Sequence, residues 1–361
     1  MCIRDSPYKA TDGWIINDMV HNLTPEPFQA WLAYDVDLVP ATTPAAAVMR
    51  PVRPIWLDVH NGQAYPVFDA LRGDGADGRY TYPDQAPADS GANNAWVADR
   101  DGVLVSGAGH LHPGGLWDDV WLDRADRSAH LFRSEAVYWE PAGAVSWDVG
   151  MTATDPSWRV AVKAGDTLRV TATYDTSRAS WYESMGIVVV WMADGADGAD
   201  PFTTNVATPG RLTHGHLPEN DNHGGTGALY ADPATRQLAP APPVVDITGY
   251  VYASGDMEAP GPIPTVKAGQ SFSFRNLDAP LDNGTWHTIT ACQAPCNAST
   301  GIAYPLADAA VTFDSGELGL GGPPTANRVE WTTPADLAPG LYTYFCRIHP
   351  FMRGAFAVEP G

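Results

Sequence analysis

The chain has 361 residues, enough for two or three domains with sizeable buried cores, and its 42 acidic against 21 basic residues leave a net charge of -21. Such a surface repels nucleic-acid phosphates and anionic lipid, so neither is expected as a partner. Short runs of Val, Thr, Tyr and Trp punctuated by 35 Gly and 32 Pro predict an all-β chain with little helix, and the longest apolar run, Gly186 to Ala193, is too short to span a bilayer.

Residues 1–6, MCIRDS, lack the basic and apolar regions of a signal peptide and read as translated adaptor sequence, so they stand outside the fold argument. From 7 to 230, the segments WIINDMV (14–20), QAWLAYDVDLV (29–39), IWLDV (55–59), GVLVSGAGHLH (102–112), WRVAVKAGDTLRVTATYD (158–175) and MGIVVVWM (185–192) predict a first β-sandwich, jelly-roll-like in outline. The acidic turns at 73–78 and 195–201 lack the ligand spacing and closing Glu of an EF-hand and read as solvated loops.

Three features of this first unit bear on chemistry. His110 and His112 stand two apart after an apolar strand, so both project to one face; a shared metal is geometrically natural, although such a pair also fits surface or structural histidines. Met185, at the start of a later buried strand, is a candidate ligand or simply core. The cluster THGHLPENDNHGG carries His214, His216 and His223, with Glu219 and Asp221 as hard ligands or hydrogen-bonding partners. It reads as an additional metal site, as completion of the His110/His112 site, or as a Gly-rich polar loop. His21, His60 and His130 are isolated and read as structural or surface histidines.

Residues 231–245, rich in Pro and Ala, predict a linker. From 246 to 361, ITGYVYASGDM, TVKAGQSFSFRNLD, WHTITAC, NRVEWTTP, GLYTYFC and GAFAVEP predict a Greek-key β-sandwich. Cys292 and Cys296, four apart in a polar loop, are close enough for a disulfide-closed turn; unlinked thiols or a zinc site are the alternatives, and Cys2 belongs to the set-aside start.

Cys346, His349 and Met352 are spaced three apart in YFCRIHPFMRGAF, directly after a predicted strand. A thiolate, an imidazole and a weak thioether, joined by one more imidazole, make the trigonal His2Cys set with axial Met that marks electron-transfer (type 1, blue) copper. His287 is the remaining histidine of this domain and is assigned as the fourth ligand. Phe345 and Arg347 flank Cys346 where multicopper oxidases carry histidines, which disfavours a laccase-type oxidase.

On these residues, 246–360 resembles the cupredoxin family, and its Cys-x2-His-x2-Met loop with HPFMRG is most similar to the amicyanins. The first unit resembles the copper-binding C-terminal sandwich of the peptidylglycine alpha-hydroxylating monooxygenase family through GHLHPGG, VAVKAGDTLRVTATYD and the Met185 strand. WIINDMVHNLTPEPF and GHLHPGG are similar also to the stress up-regulated nodulin family. The monooxygenase resemblance implies His110, His112 and Met185 as ligands of a second mononuclear copper. Ala108, Ile187 and Val189 replace the Arg, Asn and Tyr with which that family anchors a substrate carboxylate, so peptide amidation is not expected.

The expected function is copper binding and one-electron transfer, with exchange between the type 1 copper and a second copper. The alternatives are a copper-dependent, monooxygenase-like oxidoreductase and a metal-storage or partner-docking module. A redox partner protein or small redox molecule is implied. The disulfide, the copper chemistry and the family resemblance point to an extracytoplasmic location, secreted, periplasmic or cell-surface.

Overall fold

The computed structural model describes residues 9, 11, 12, 20, 22, 26, 27 and 29–361, except 64, 196, 218–231, 281–284, 293–303, 308–310 and 322–326. The fold is all-β. Up to Leu212 the strands pair among themselves, in the order Val52–Asp58, Gly186–Ala193, Gly102–Leu111, Val149–Ala153, Arg127–Tyr138, Gly115–Arg124, Thr167–Asp175 and Arg79–Tyr82. Neighbours along this path are antiparallel. Gly186–Ala193 lies inside the sheet because both its faces are apolar, and Val188 and Val190 are buried. Val52–Asp58 carries Pro54, which cannot donate to a ladder, and accordingly forms an edge.

From Leu238 onward the strands form two further sheets. One runs Leu238–Pro240, Ile263–Lys267, Arg353–Glu359, Gly340–Phe345, Thr290–Cys292 and Val311–Asp314; the other runs Val251–Tyr252, Val244–Thr248, Ser273–Asn276 and Glu330–Thr332. Val244–Thr248 lies parallel to Ser273–Asn276, and Ile263–Lys267 lies parallel to Arg353–Glu359, so crossovers connect them. Phe272, Phe274, Tyr252, Tyr344 and Phe356 fill this core edge to face. Gly354 faces Tyr344 across its ladder, and a Cβ there would stand 2.3 Å from the Tyr344 ring.

Two predicted elements differ. Residues 29–39 form no strand: the alternating pattern is present, but no ladder covers it and Trp31 is 78% exposed. Leu238–Pro240, inside the Pro/Ala-rich 231–245, adds a parallel edge strand to the C-terminal sheet. Residues 14–19 and 223, and the Cys292–Cys296 pairing through Cys296, lie outside the described residues. Among the described residues no helix is long and apolar enough to cross a membrane.

The two groups of sheets are not independent bodies of packing. One apolar core contains Leu57, Phe132, Trp181 and Val188 from the first together with Cys292, Leu306, Val311 and Phe345 from the second. Arg72 and Arg178 tie the halves further by donating to the carbonyls of Val311 and Leu306.

Candidate metal centre

Cys346 closes the strand Gly340–Phe345, and the return strand starts at Arg353, paired with Phe345. The intervening loop is therefore the mouth of a hairpin. Cys346 N–H donates to the Met352 carbonyl at 3.1 Å and Met352 N–H to the His349 carbonyl at 2.9 Å, so Cys346 and Met352 face each other and Met352 is buried. His349 lies on the turn between them.

His287 reaches the loop through tertiary pairing. Thr290–Cys292 pairs with Gly340–Phe345, and just beyond that ladder Thr288 N–H donates to Cys346 Sγ at 3.3 Å while Arg347 N–H donates to Thr288 Oγ1 at 2.9 Å. Asn276 donates to the carbonyls of Thr285 and Leu318, pinning the segments on either side of His287. Cys346 Sγ stands 3.9 Å from His287 Nδ1 and 3.8 Å from His349 Nδ1. Two donors about 2.0–2.3 Å from one ion and spread trigonally stand about 3.8 Å apart, so the donor set fits a single small ion. Among the described residues this is the one group of three His, Cys, Asp or Glu side chains drawn within ligating distance.

Groups behind the donors tune them. His287 Nε2 donates to Asp278 Oδ2 at 3.0 Å, and Asp278 is held in turn by the N–H groups of Gly249 and Tyr250. The His287 Nδ1 lone pair is thereby turned toward Cys346. Burial works to lower the His287 pKa, but the bond to Asp278 and the nearby Cys346 outweigh it and push it up to about 9. At Cys346, burial works to raise the pKa; the hydrogen bonds to His287 and His349 overcome it and hold the thiol well below its usual value. His349 N–H is a second donor to the sulfur, at 3.3 Å. Tyr250, at φ +65°, lays its ring edge-on against both imidazoles, 5.5 Å from His287 and 4.8 Å from His349. Sequence reasoning passed over Asp278, Asn276 and Tyr250; their signal, the polar residues in FRNLD and the Gly-Tyr turn, has meaning only once the segments are packed together.

In the first group of sheets, His110 ends the strand Gly102–Leu111 opposite Ile187, and Gly186 faces Leu111. The paired register ends there; Met185 packs with Ile187, the residue opposite His110, so His110 and Met185 belong to one face, with His112 two residues further along it. There the Tyr174 hydroxyl replaces the ladder bonds, donating to the Met185 carbonyl and accepting from the N–H groups of Met185 and His112. The two imidazole centroids are 5.3 Å apart, and Trp147 packs 4.8 Å from His112. His112 Nδ1 donates to the Glu183 carbonyl at 2.6 Å, which leaves Nε2 as the basic nitrogen. Glu183 itself is left-handed, at φ +54°. Met185 is buried with Val67 and Ile187, whereas His110 is exposed.

His214 and His216 are not drawn to this pair as a ligating group: His216 bonds the buried Asp148 and stacks on Trp139, and His214 is exposed beside the same ring. His223, Glu219 and Asp221 lie outside the described residues. His60 bonds Tyr82, and His130 bonds Asp119, as structural histidines do. Ala108 and Val189 face each other in the ladder beside Ile187, with no charge among them. A cavity of about 20 Å3, room for one or two waters, separates the two regions; His112, Trp147, Trp181, Tyr304, Arg347 and Ile348 line it.

No family model matches the sequence, and no curated protein matches it. Among solved structures, the chain is similar to a purple cupredoxin from Nitrosopumilus maritimus at 17% identity and a TM-score of 0.21, covering 32% of this chain and 98% of that one. It is similar to a reduced mutant of amicyanin at 25% identity and a TM-score of 0.19, covering 37% of this chain and 94% of that one. A copper-containing nitrite reductase from Thermus scotoductus SA-01 matches at 14% identity and a TM-score of 0.21, covering 71% of this chain and 55% of that one, so the chain spans little more than half its length. Superposition is poor in all three, and the functional reading rests on the site's own atoms.

Proposed function

We propose that the protein is a copper-binding electron-transfer protein whose type 1 copper is held by His287, Cys346, His349 and Met352. One observation carries the reading: a buried thiol with two imidazole nitrogens at 3.8 and 3.9 Å, set in a hairpin whose far lip is a buried methionine. Copper so held supplies one-electron chemistry. The chain's own part is to hold the donors still. Asp278 fixes the His287 ring, two backbone N–H groups steady the sulfur, and Tyr252 and Met352, in the same apolar core as Cys346, keep water out. A redox partner protein or small redox molecule meets the half-exposed His349 edge beside Tyr250 and Phe351.

Residues 7–230 and 246–361 are taken as the two domains, joined through 231–245. In the first, His110, His112 and Met185 are the ligands of a second mononuclear copper that exchanges electrons with the first. The hydrogen bond from His112 Nδ1 to a main-chain carbonyl, as metal-bound imidazoles make, supports this. A monooxygenase-like oxidoreductase is the second reading, favoured by the exposure of His110; a metal-storage or docking module is the third. An extracytoplasmic location accompanies all three.

Electron paramagnetic resonance of oxidised, copper-loaded protein, with total copper measured on the same sample, is the test. A narrow-hyperfine signal is expected, with a second, wide-hyperfine signal of equal intensity if the His110/His112 site also binds. Absence of the narrow signal sinks the electron-transfer reading.

A further inference from the structure

Arg347 follows Cys346 directly and points out of the copper hairpin into the other group of sheets. It is 4% exposed. Its Nη1 donates to the Ser180 carbonyl, 167 residues away in sequence, and the guanidinium lies 4.7 Å over the Trp181 ring, 5.4 Å over Tyr182 and 5.6 Å over Tyr304. A buried cation ordinarily has a carboxylate in fork geometry. Here the nearest, Asp314, makes a single long contact of 3.4 Å, and Arg347 Nε has no partner among the described residues.

The other acids close by are poorly placed to cancel the charge. Glu317 is buried with neither carboxylate oxygen hydrogen-bonded among the described residues, and burial, then Asp69 and Glu183, push its pKa up to about 10. Burial likewise raises Asp69. Glu317 therefore keeps a proton near neutral pH and adds no charge that would offset the guanidinium. Glu183, on the cavity wall, accepts from the Tyr65 hydroxyl instead.

We propose that Arg347 is a positioning residue that clamps the Cys346 loop to the N-terminal sheets and, by its buried and only partly compensated charge, favours the reduced state of the ion held at Cys346. The inference rests on the type 1 reading. Its physical basis is that a fixed positive charge in a dry interior disfavours the more positive of two states of a neighbouring ion. No bond forms or breaks; one electron arrives from the external donor and the ion's charge falls by one. Reciprocity then requires that reduction tighten the Arg347 clamp by the same factor by which the clamp favours reduction.

The experiment is spectroelectrochemical titration of the copper-loaded full chain. Arg347→Met, which removes the charge but still fills the aromatic cage, is expected to lower the reduced-to-oxidised ratio at fixed ambient potential about tenfold, a fall of about 59 mV for one electron. Because the charge is buried, the shift persists at high salt. Arg347→Lys keeps the charge and is expected to restore most of the ratio. A Met variant whose ratio stays with the unmodified protein, or a Lys variant that falls as far as Met, overturns the proposal. Should the Met variant not fold, Asp314→Asn decides, since removing the one carboxylate in reach is expected to raise the ratio and a fall or no change counts against the charge effect. Absence of a narrow-hyperfine signal in the unmodified protein would overturn the type 1 reading itself, whereas a normal signal with an unmoved potential overturns only the role of Arg347.

Discussion

The two histidine-bearing regions are built differently. At the Cys346 hairpin, three of the four candidate ligands come from seven consecutive residues, the fourth is fully buried, and a carboxylate and two N–H groups brace the donors. At His110/His112 the two rings share a face with Met185, but one ring is exposed and no further His, Cys, Asp or Glu closes the set among the described residues. The difference teaches that a ligand set closed by a hairpin is suited to holding an ion in one geometry through a redox cycle, while an open pair on a sheet face is suited to admitting something from solvent.

Substitutions can sharpen or break that contrast. The largest effect is expected at the hairpin: Cys346→Ser should abolish the intense visible absorption and the narrow-hyperfine signal together, and retention of either would mean the sulfur is not a ligand. Asp278→Asn should then weaken copper binding about 10- to 100-fold, measured against a competing chelator, because the carboxylate that orients His287 is gone. At the open site, Met185→Ile, or His110→Ala with His112→Ala, should lower bound copper from two per chain to one while leaving the blue signal intact; unchanged stoichiometry would remove the second site.

The smallest effect concerns the scaffold alone. Burial works to raise the Asp119 pKa, but hydrogen bonds from His130 and Arg133 outweigh it and hold it below the ordinary carboxylate value of 3.8. A depressed carboxylate contributes stability that is present above its unfolded value and is lost as pH falls through the folded one. Asp119→Asn should therefore flatten the dependence of melting temperature on pH below about 4, and equal acid sensitivity in both proteins would show that the ion pair contributes little.

Much of the Cys346 site could be read from sequence because its spacing is local: a strand, a loop with Pro350 and a returning strand leave few ways to arrange Cys346, His349 and Met352. The strand predicted at 29–39 shows the limit of the same reasoning. Tyr34, Val36 and Leu38 alternate with Asp35 and Asp37, yet alternation states which face is apolar and not whether a neighbour is there to cover it. The Pro/Ala-rich 231–245 shows the converse, since Leu238–Pro240 gains a strand from its neighbour rather than from its composition.

By itself the sequence determined the all-β class, the acidic surface and the residue types of the hairpin, because periodicity, charge and short spacing are properties of neighbouring residues. Only the tertiary structure decided that Asp278 stands behind His287, that Ile187, packed with Met185, lies opposite His110, and that Arg347 lies over Trp181 with Ser180 as its acceptor. Those contacts join segments that nothing in the local chain brings together. The first two follow from packing within each group of sheets, and the third from the apolar core the two groups share.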